Sequence, residues 1–149
     1  MIYRSIREMI ENQTVVSISP DASVHQAAVL MTTHRIGALP VMRGTELIGI
    51  FTERDLVSRV VAPRLDPDRT LVMQAMTEKP ETITADKSLC DALDLMHTHG
   101  FRHLPVMDGE QLIALLSMRN IPTAYRLMRE KWIEARQPLE TSLGLSADS

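Results

Sequence analysis

The fold of this chain is decided by a stretch of forty-one residues that occurs twice. Residues 16–56 read VSISPDASVHQAAVLMTTHRIGALPVMRGTELIGIFTERDL, and residues 81–121 read ETITADKSLCDALDLMHTHGFRHLPVMDGEQLIALLSMRNI. The second copy follows at an offset of 65 residues without a gap, and about sixteen aligned positions are identical. Internal repeats indicate repeated structural units. Two copies predict a pair related by a pseudo-twofold axis, so that any cleft between them is present twice.

Each copy predicts the same order of elements, which is strand, helix, strand, strand, helix. Ser23 with Gln26 three positions later forms a capping box, which marks a helix start. Apolar residues then follow at helical spacing, in the first copy as Val24, Ala27, Ala28 and Met31 and in the second as Leu89, Ala92, Leu93 and Met96. Asp108-Gly109 between two apolar runs is a hairpin turn signal. The pattern predicts a mixed α/β (α+β) fold, with small sheets covered by helices.

The chain divides at its repeats and at a polar linker that contains two prolines. We expect an N-terminal lead-in helix at 1–14, a first repeat at 15–61, a linker and short helix at 62–79, a second repeat at 80–127, and a C-terminal helix extension with a flexible tail at 128–149. An apolar stripe that includes Trp132 fits either packing on its own module or a partner surface. Because two units of about 55 residues are each marginal, we expect the copies to share a core.

Composition excludes several classes of function. The net charge of −3 and the 3% aromatic content argue against nucleic acid as a partner. The single cysteine excludes an internal disulfide and a cysteine cage for a metal. The histidines lack an acidic or cysteine cluster beside them, so we predict no metal site. No apolar run is long enough to span a membrane, and charges lie where a signal peptide needs an apolar region. We therefore expect a cytoplasmic protein.

The most informative local sequence is Gly49-Ile50-Phe51-Thr52-Glu53-Arg54-Asp55, where an apolar strand runs into a helix N-terminus. Unpaired backbone N–H groups there favour a phosphate, to which Thr52 adds a hydroxyl and Arg54 a positive charge. The carboxylate of Asp55 could accept hydrogen bonds from the two hydroxyls of a ribose. The same Thr-x-x-Asp pattern is also a capping box. From these residues alone, a nucleotide site and a purely structural cap both stay open.

Together with Phe101-Arg102-His103-Leu104-Pro105-Val106, this motif resembles those of tandem CBS-domain proteins, also called Bateman modules. The segments 72–77 and 80–83 support the resemblance, which covers residues 5–127. Such modules bind adenosine-containing ligands, namely AMP, ADP, ATP, NAD or S-adenosylmethionine. The resemblance implies two pseudo-twofold-related β-α-β-β-α CBS repeats that form one Bateman module. It also implies that each cleft is assembled from both copies.

The implied primary nucleotide site joins the Thr-x-x-Asp turn of the first copy to the residues before the Leu-Pro-Val strand of the second. The ribose would bind Asp55, and the phosphate would bind the helix end with Arg102 and His103. Apolar walls and strand backbone would hold the base. The residues implied for this site are Thr52, Arg54, Asp55, Glu81, Thr82, Phe101, Arg102, His103 and Pro105.

The mirror-related secondary site departs from the family pattern. Ala114 replaces the glycine, and Asn120 replaces the aspartate and so loses charge-assisted hydrogen bonds to a ribose. Asn120 could instead be an N-cap ahead of Pro122, and both roles stay open. We expect this site to be weak, empty or specific for something else. Its implied residues are Val16, Ile36, Gly37, Ala38, Pro40, Ser117, Arg119 and Asn120.

We therefore predict a regulatory module that binds AMP, ADP, ATP or NAD, needs no cofactor and is not an enzyme. The sequence has no nucleophile with a placed base, no metal cage and no Walker-type loop. An effector protein would receive the signal through a conformational or dimer change, and the resemblance implies a homodimer. The alternatives are a ligand-free structural or dimerisation subunit, an S-adenosylmethionine sensor and an unrecognised enzyme such as a nucleotide hydrolase.

Overall fold

The structure is a computed structural model that describes residues 5–128 and 130–131. It confirms the mixed α+β class, with two three-stranded sheets and helices. The first half contains α1 (Ile6–Ile10), α2 (Val24–His34), β1 (Ala38–Arg43), β2 (Glu46–Thr52) and α3 (Glu53–Leu56), which continues in π-helical turns over Val57–Val61. The second half contains α4 (Val72–Ala75), β3 (Thr77–Glu78), β4 (Ile83–Thr84), α5 (Leu89–His99), β5 (His103–Asp108), β6 (Gln111–Ser117) and a 3-10 turn (Met118–Asn120). Residues 123–128 and 130–131 are also helical.

Both long helices begin at capping boxes, and the box of α2 is the one that the sequence predicts. The Ser23 hydroxyl accepts from the Gln26 N–H at 3.1 Å, and the Ser23 N–H donates to Gln26 Oε1 at 3.0 Å. Ser88 and Asp91 form the same reciprocal pair, at 3.1 and 3.2 Å. The opening strands are shorter than predicted. In the first copy the opening strand is reduced to a single bridge between Ile18 and Val41 of β1, whereas β4 runs parallel to β5 in the second copy.

Each copy has a hydrophobic core of its own, so the expectation of one shared core is wrong. The first core surrounds Phe51, and the second surrounds Leu104. The copies are instead joined by an exchange of their lead-in helices. Ile6 of α1, which precedes the first copy, is fully buried in the core of the second, while Val72 of α4 is fully buried in the core of the first.

The exchange is symmetric down to its hydrogen bonds. The Ile6 N–H donates to the Lys87 carbonyl at 2.9 Å, and the Val72 N–H donates to the Ala22 carbonyl at 2.8 Å. Ala22 and Lys87 hold equivalent places in the two copies. Small units bury too little surface to be stable alone. Each copy is therefore completed by the lead-in helix that precedes the other copy in the sequence.

Strand β3 was not predicted, because the linker assigned to 62–79 was expected to hold only a short helix. It pairs antiparallel with β2, with Gly49 opposite Glu78. A Cβ on Gly49 would lie 2.5 Å from Met76 Sδ and 2.9 Å from the Thr77 carbonyl oxygen. No described strand crosses β6 at the equivalent Ala114. The glycine is therefore required by the close approach of β3, and its absence from the second copy follows from the missing strand.

The second copy departs from the first after β6. Ser117 caps a 3-10 turn and not the predicted α-helix, and Asn120 Oδ1 accepts from the Ser117 N–H at 3.3 Å. Ile121 is extended, with φ −78° and ψ 126°, because the residue before a proline avoids the helical region. Asn120 is therefore the reciprocal partner in the cap of the turn. The proposed N-cap role ahead of Pro122 is wrong.

The C-terminal helical segment is only partly covered by its own module. Ile121 and Tyr125 are buried in the second core, whereas Leu127 and Met128 are 50% and 56% exposed. Trp132, the far end of the predicted stripe, and the expected tail lie outside the described residues. Across the part of the chain that the structure describes, no helix has the length and apolar character needed to cross a membrane.

Candidate functional site

A cavity of about 590 Å³ lies between the two copies, which is within the usual range for small-molecule sites. Residues of both copies and of the segment after β3 line it together. Seven of the nine residues implied for the primary site line this cavity, namely Thr52, Arg54, Asp55, Glu81, Phe101, Arg102 and His103. The sequence-derived clustering of these side chains therefore corresponds to a real concavity, while their contact with a ligand stays a prediction.

Thr82 and Pro105 are not among the lining residues. Successive residues of an extended chain point to opposite sides. Glu81 lines the cavity, so the neighbouring Thr82 does not, and it is exposed to solvent. Pro105 lies two residues further along β5 than His103, where it is buried and pairs with Leu115 of β6.

The carboxylate of Asp55 lines the cavity, and the residue is only 7% exposed. Its Oδ2 accepts from the Thr52 N–H at 3.0 Å. Its Oδ1 accepts from the Thr77 hydroxyl at 3.4 Å and lies 3.7 Å from Arg59 Nε. The capping role weighed against ligand binding is therefore present in the structure. An ionised carboxylate offers about four acceptor positions, so these contacts leave room for a ligand hydroxyl.

The backbone at the start of α3 differs from the expectation of unpaired N–H groups. The Glu53 N–H donates to the Gly37 carbonyl at 3.0 Å, and the Asp55 N–H donates to Thr52 Oγ1 at 3.1 Å. Neither is free for a phosphate. The Thr52 hydroxyl still has its own hydrogen to donate. Recognition of an anion in this cavity would therefore rest less on the backbone and more on side chains, above all on Arg102 and His103 of the opposite copy.

Burial lowers the pKa of His103 below its usual value. The negative charge of Glu53 opposes the shift, while the positive charges of Arg102 and Arg119 add to it. An uncharged imidazole is therefore favoured in this cavity, and a bound anion would raise the pKa again by favouring the charged form.

An aromatic surface lies on one wall of the cavity. The rings of His99 and Phe101 stack at a centroid distance of 5.4 Å with an interplanar angle of 14°, and both residues line the cavity. Gly100 between them ends α5 in the left-handed conformation with φ 72°, which turns the chain so that the two rings meet. Sequence reasoning included Phe101 and missed His99, although the helix-ending glycine was a usable signal.

Arg59 is the most important lining residue that sequence reasoning missed. Its Nη1 donates to the Met76 carbonyl at 2.6 Å, and its Nε faces Asp55. Arg59 follows Asp55 by four positions, and residues so spaced are neighbours on a helix, so a signal was available. Thr77 and Lys79 also line the cavity. They are placed there by the pairing of β3 with β2, which no local sequence pattern predicted.

A second cavity of about 690 Å³ lies at the mirror-related position. Seven of the eight residues implied for the secondary site line it, namely Val16, Ile36, Gly37, Ala38, Ser117, Arg119 and Asn120. Pro40 does not, because it is buried in β1 opposite Ile50. The cavity is more basic than the sequence indicated, since Arg35 and Arg102 join Arg119 in its lining.

The described residues include no group of three or more histidine, cysteine, aspartate or glutamate side chains that could hold a metal ion.

The two cavities meet at shared residues. Gly37, Glu53, Arg102 and His103 line both of them. The chemistry that these side chains offer is the binding of hydroxyl groups and anions.

Comparison with known proteins identifies the repeat. The family model of the CBS domain matches residues 6–62 and again 72–126. The CBS domain-containing protein YhcV of Bacillus subtilis (strain 168) is 32% identical over 117 residues, which are 78% of this chain and 82% of that protein. The CBS domain-containing protein CBSCBSPB3 of Arabidopsis thaliana is 37% identical over 100 residues, 67% of this chain. The chain covers only 18% of that plant protein.

Solved structures agree with this family assignment. The CBS-domain containing protein ATU1752 from Agrobacterium tumefaciens is similar with a TM-score of 0.73 and 28% identity, over 78% of this chain and 94% of that one. The CBS domain protein PAE2072 from Pyrobaculum aerophilum, complexed with AMP, is similar with a TM-score of 0.73 and 25% identity, over 83% and 96% of the two chains. Two matched domains, joined by exchanged helices around paired cavities, show that this chain belongs to the CBS-domain family and is a tandem CBS regulatory module.

Proposed function

We propose that this module binds an adenosine-containing nucleotide in the first cavity and transmits its presence to an effector protein without catalysing a reaction. AMP, ADP, ATP and NAD are the ligands that fit the proposal. The observation that carries it is the pairing of a buried carboxylate, Asp55, with Arg102 and His103 of the other copy across a cavity of about 590 Å³. That arrangement offers acceptors to a ribose and donors to a phosphate.

The roles of the side chains follow from their chemistry. The carboxylate of Asp55 would accept from the ribose hydroxyls, and hydrogen bonds to charged groups are roughly twice as strong as neutral ones. Arg102 and the Thr52 hydroxyl would donate to the phosphate. The stacked rings of His99 and Phe101 supply a flat surface for the base. The AMP complex of the similar protein from Pyrobaculum aerophilum supports this choice of ligand class.

A change in the cavity has a physical route to the module surface. Asp55, Arg59 and the exposed Val57 and Val61 lie on one helical segment, and Arg59 ties this segment to the Met76 carbonyl. A ligand that engages Asp55 with different strength in two arrangements of the segment would shift their populations. The exposed face of the segment would then change with it.

We propose that this face pairs with a second copy of the chain. Val57 and Val61 are 61% and 60% exposed, and Leu127 and Met128 are exposed on the helical segment that closes the second copy. Apolar side chains at the closing helix of both copies suit an isologous twofold contact. Light scattering should give the mass of a dimer, and V57D together with V61D should give a monomer.

The ligand proposal is tested by calorimetry with AMP, ADP, ATP, NAD and S-adenosylmethionine, and by thermal melts. A ligand at 100 times its Kd should stabilise the fold by about 2.7 kcal/mol. D55N should remove the stabilisation, since it keeps the shape of the side chain and loses its charge. D91N is a matched control, because Asp91 is the equivalent capping residue of α5 and lines neither cavity.

The outcomes separate the alternatives. Binding of S-adenosylmethionine alone would replace the nucleotide proposal with a sensor of that compound. The absence of heat and of stabilisation with every compound would support a structural or dimerisation subunit, in which Asp55 only caps α3. Product formation from ATP and Mg²⁺ would contradict the non-catalytic role.

A further inference from the structure

The second cavity combines a surplus of positive charge with the loss of the ribose-binding group. Among the described residues that line it, Arg35, Arg102 and Arg119 face a single carboxylate, that of Glu53. The position equivalent to Asp55 is Asn120, whose amide oxygen already accepts from the Ser117 N–H at 3.3 Å. Guanidinium groups match the geometry of phosphate oxygens. The lining of this cavity therefore suits phosphate groups better than a second ribose.

The border between the cavities lies where the first phosphate of a nucleotide would be held. Arg102 and His103 line both cavities, together with Gly37 and Glu53. A Cβ on Gly37 would lie 3.3 Å from the carboxyl carbon of Glu53, so the glycine leaves space at this border. A phosphate bound by Arg102 beside the first cavity would already stand at the entrance of the second.

We infer that the two cavities form one extended site, in which the second cavity binds the distal phosphates of a nucleotide whose adenosine occupies the first. This inference rests on the proposed function and names its ligand class, a nucleoside with a chain of two or more phosphates. Arg35, at the end of α2, and Arg119, after β6, hold the distal phosphates. Glu53 opposes the chain with one charge against three guanidinium groups, so the balance favours the anion.

The inference is tested by titration calorimetry of the full chain with AMP and with ATP in the presence of EDTA. ATP should bind at one molecule per chain and about tenfold more tightly than AMP, because added charge-assisted hydrogen bonds are each worth about that factor. R35Q and R119Q should each weaken ATP roughly fivefold and leave AMP within about twofold, since both arginines are exposed and partly screened by solvent. R43Q is the matched control, because Arg43 is exposed at the β1–β2 turn and lines neither cavity.

Three results would overturn the inference and leave the proposed function standing. These are AMP binding as tightly as ATP, two ATP molecules bound per chain, and an R119Q variant that weakens AMP and ATP equally. Inorganic triphosphate provides a further arm. If it binds as tightly as ATP, the second cavity recognises free phosphate compounds and not the tail of a nucleotide. If neither AMP nor ATP binds, the proposed function itself fails.

Discussion

Replacement of Gly49 by alanine should both destabilise the fold and weaken nucleotide binding at the candidate site. Gly49 lies in β2, opposite Glu78 of β3. The new Cβ would lie 2.9 Å from the Thr77 carbonyl oxygen and 2.5 Å from Met76 Sδ. The methionine side chain can move aside, but the carbonyl belongs to the backbone of β3. The strand itself must therefore shift.

The cost follows from what β3 would lose. Its two residues pair with Gly49 and Ile50, and a backbone hydrogen bond contributes about 1 kcal/mol net, while overpacking of a buried contact costs about 1–3 kcal/mol. We expect the free energy of unfolding to fall by about 2 kcal/mol. The melting temperature should fall by roughly 4–8 °C for a chain of this size. Lys79 and Glu81 follow β3 and line the cavity, so nucleotide affinity should fall too.

Urea unfolding followed by circular dichroism measures the effect for G49A. The control is A114G, the equivalent position in the second copy, where no described strand crosses. That variant should lose about 0.5–1 kcal/mol for the conformational cost of glycine in a strand, and about 0.8 kcal/mol more for the buried methyl group of Ala114. A G49A protein with unchanged stability and unchanged nucleotide affinity would refute the assigned role of β3.

Three further perturbations probe other parts of the molecule. I6A should lower the free energy of unfolding by about 2–5 kcal/mol, as measured in urea, because α1 completes the core of the second copy. The control is V29A, at a half-exposed site. If I6A lost no more unfolding free energy than V29A, the helix exchange would be contradicted. Burial lowers the pKa of His103, the charge of Glu53 opposes this shift, and the charges of Arg102 and Arg119 add to it. As the pH falls, the imidazole of the unfolded chain is therefore protonated before that of the folded chain. The stability that uncharged His103 allows should be fully present above a pH of about 6.5 and should decline as the pH falls below that value. H103Q should flatten this decline. Identical curves of unfolding free energy against pH for H103Q and wild type would exclude this role of His103. R59Q should lower the free energy of unfolding by about 1–2 kcal/mol, because the hydrogen bond from Arg59 to the Met76 carbonyl is lost. Equal urea unfolding curves for R59Q and wild type would show that this hydrogen bond contributes nothing to stability.

Most of the candidate site could be predicted because its signals are short. Thr52, Arg54 and Asp55 lie in one turn, and Phe101, Arg102 and His103 are consecutive, so each group could be read from a few neighbouring residues. That the two groups share a cavity came from the family resemblance. The sequence did not reveal that the Glu53 N–H is already paired with the Gly37 carbonyl. That pairing removes part of the expected phosphate site and depends on how the start of β1 lies beside the end of β2.

The sequence by itself determined the duplication, the succession of a helix and two strands within each copy, and the starts of α2 and α5. Caps and turns act between residues within four positions of each other, so their signals are local. Only the tertiary structure decided that each lead-in helix completes the opposite copy, as when Arg7 meets Asp86 across 79 positions. It alone also decided that β3 lies against Gly49 and that Arg102 and His103 border both cavities. Such contacts depend on the path of the whole chain, because marginal units become stable only by burying surface against each other.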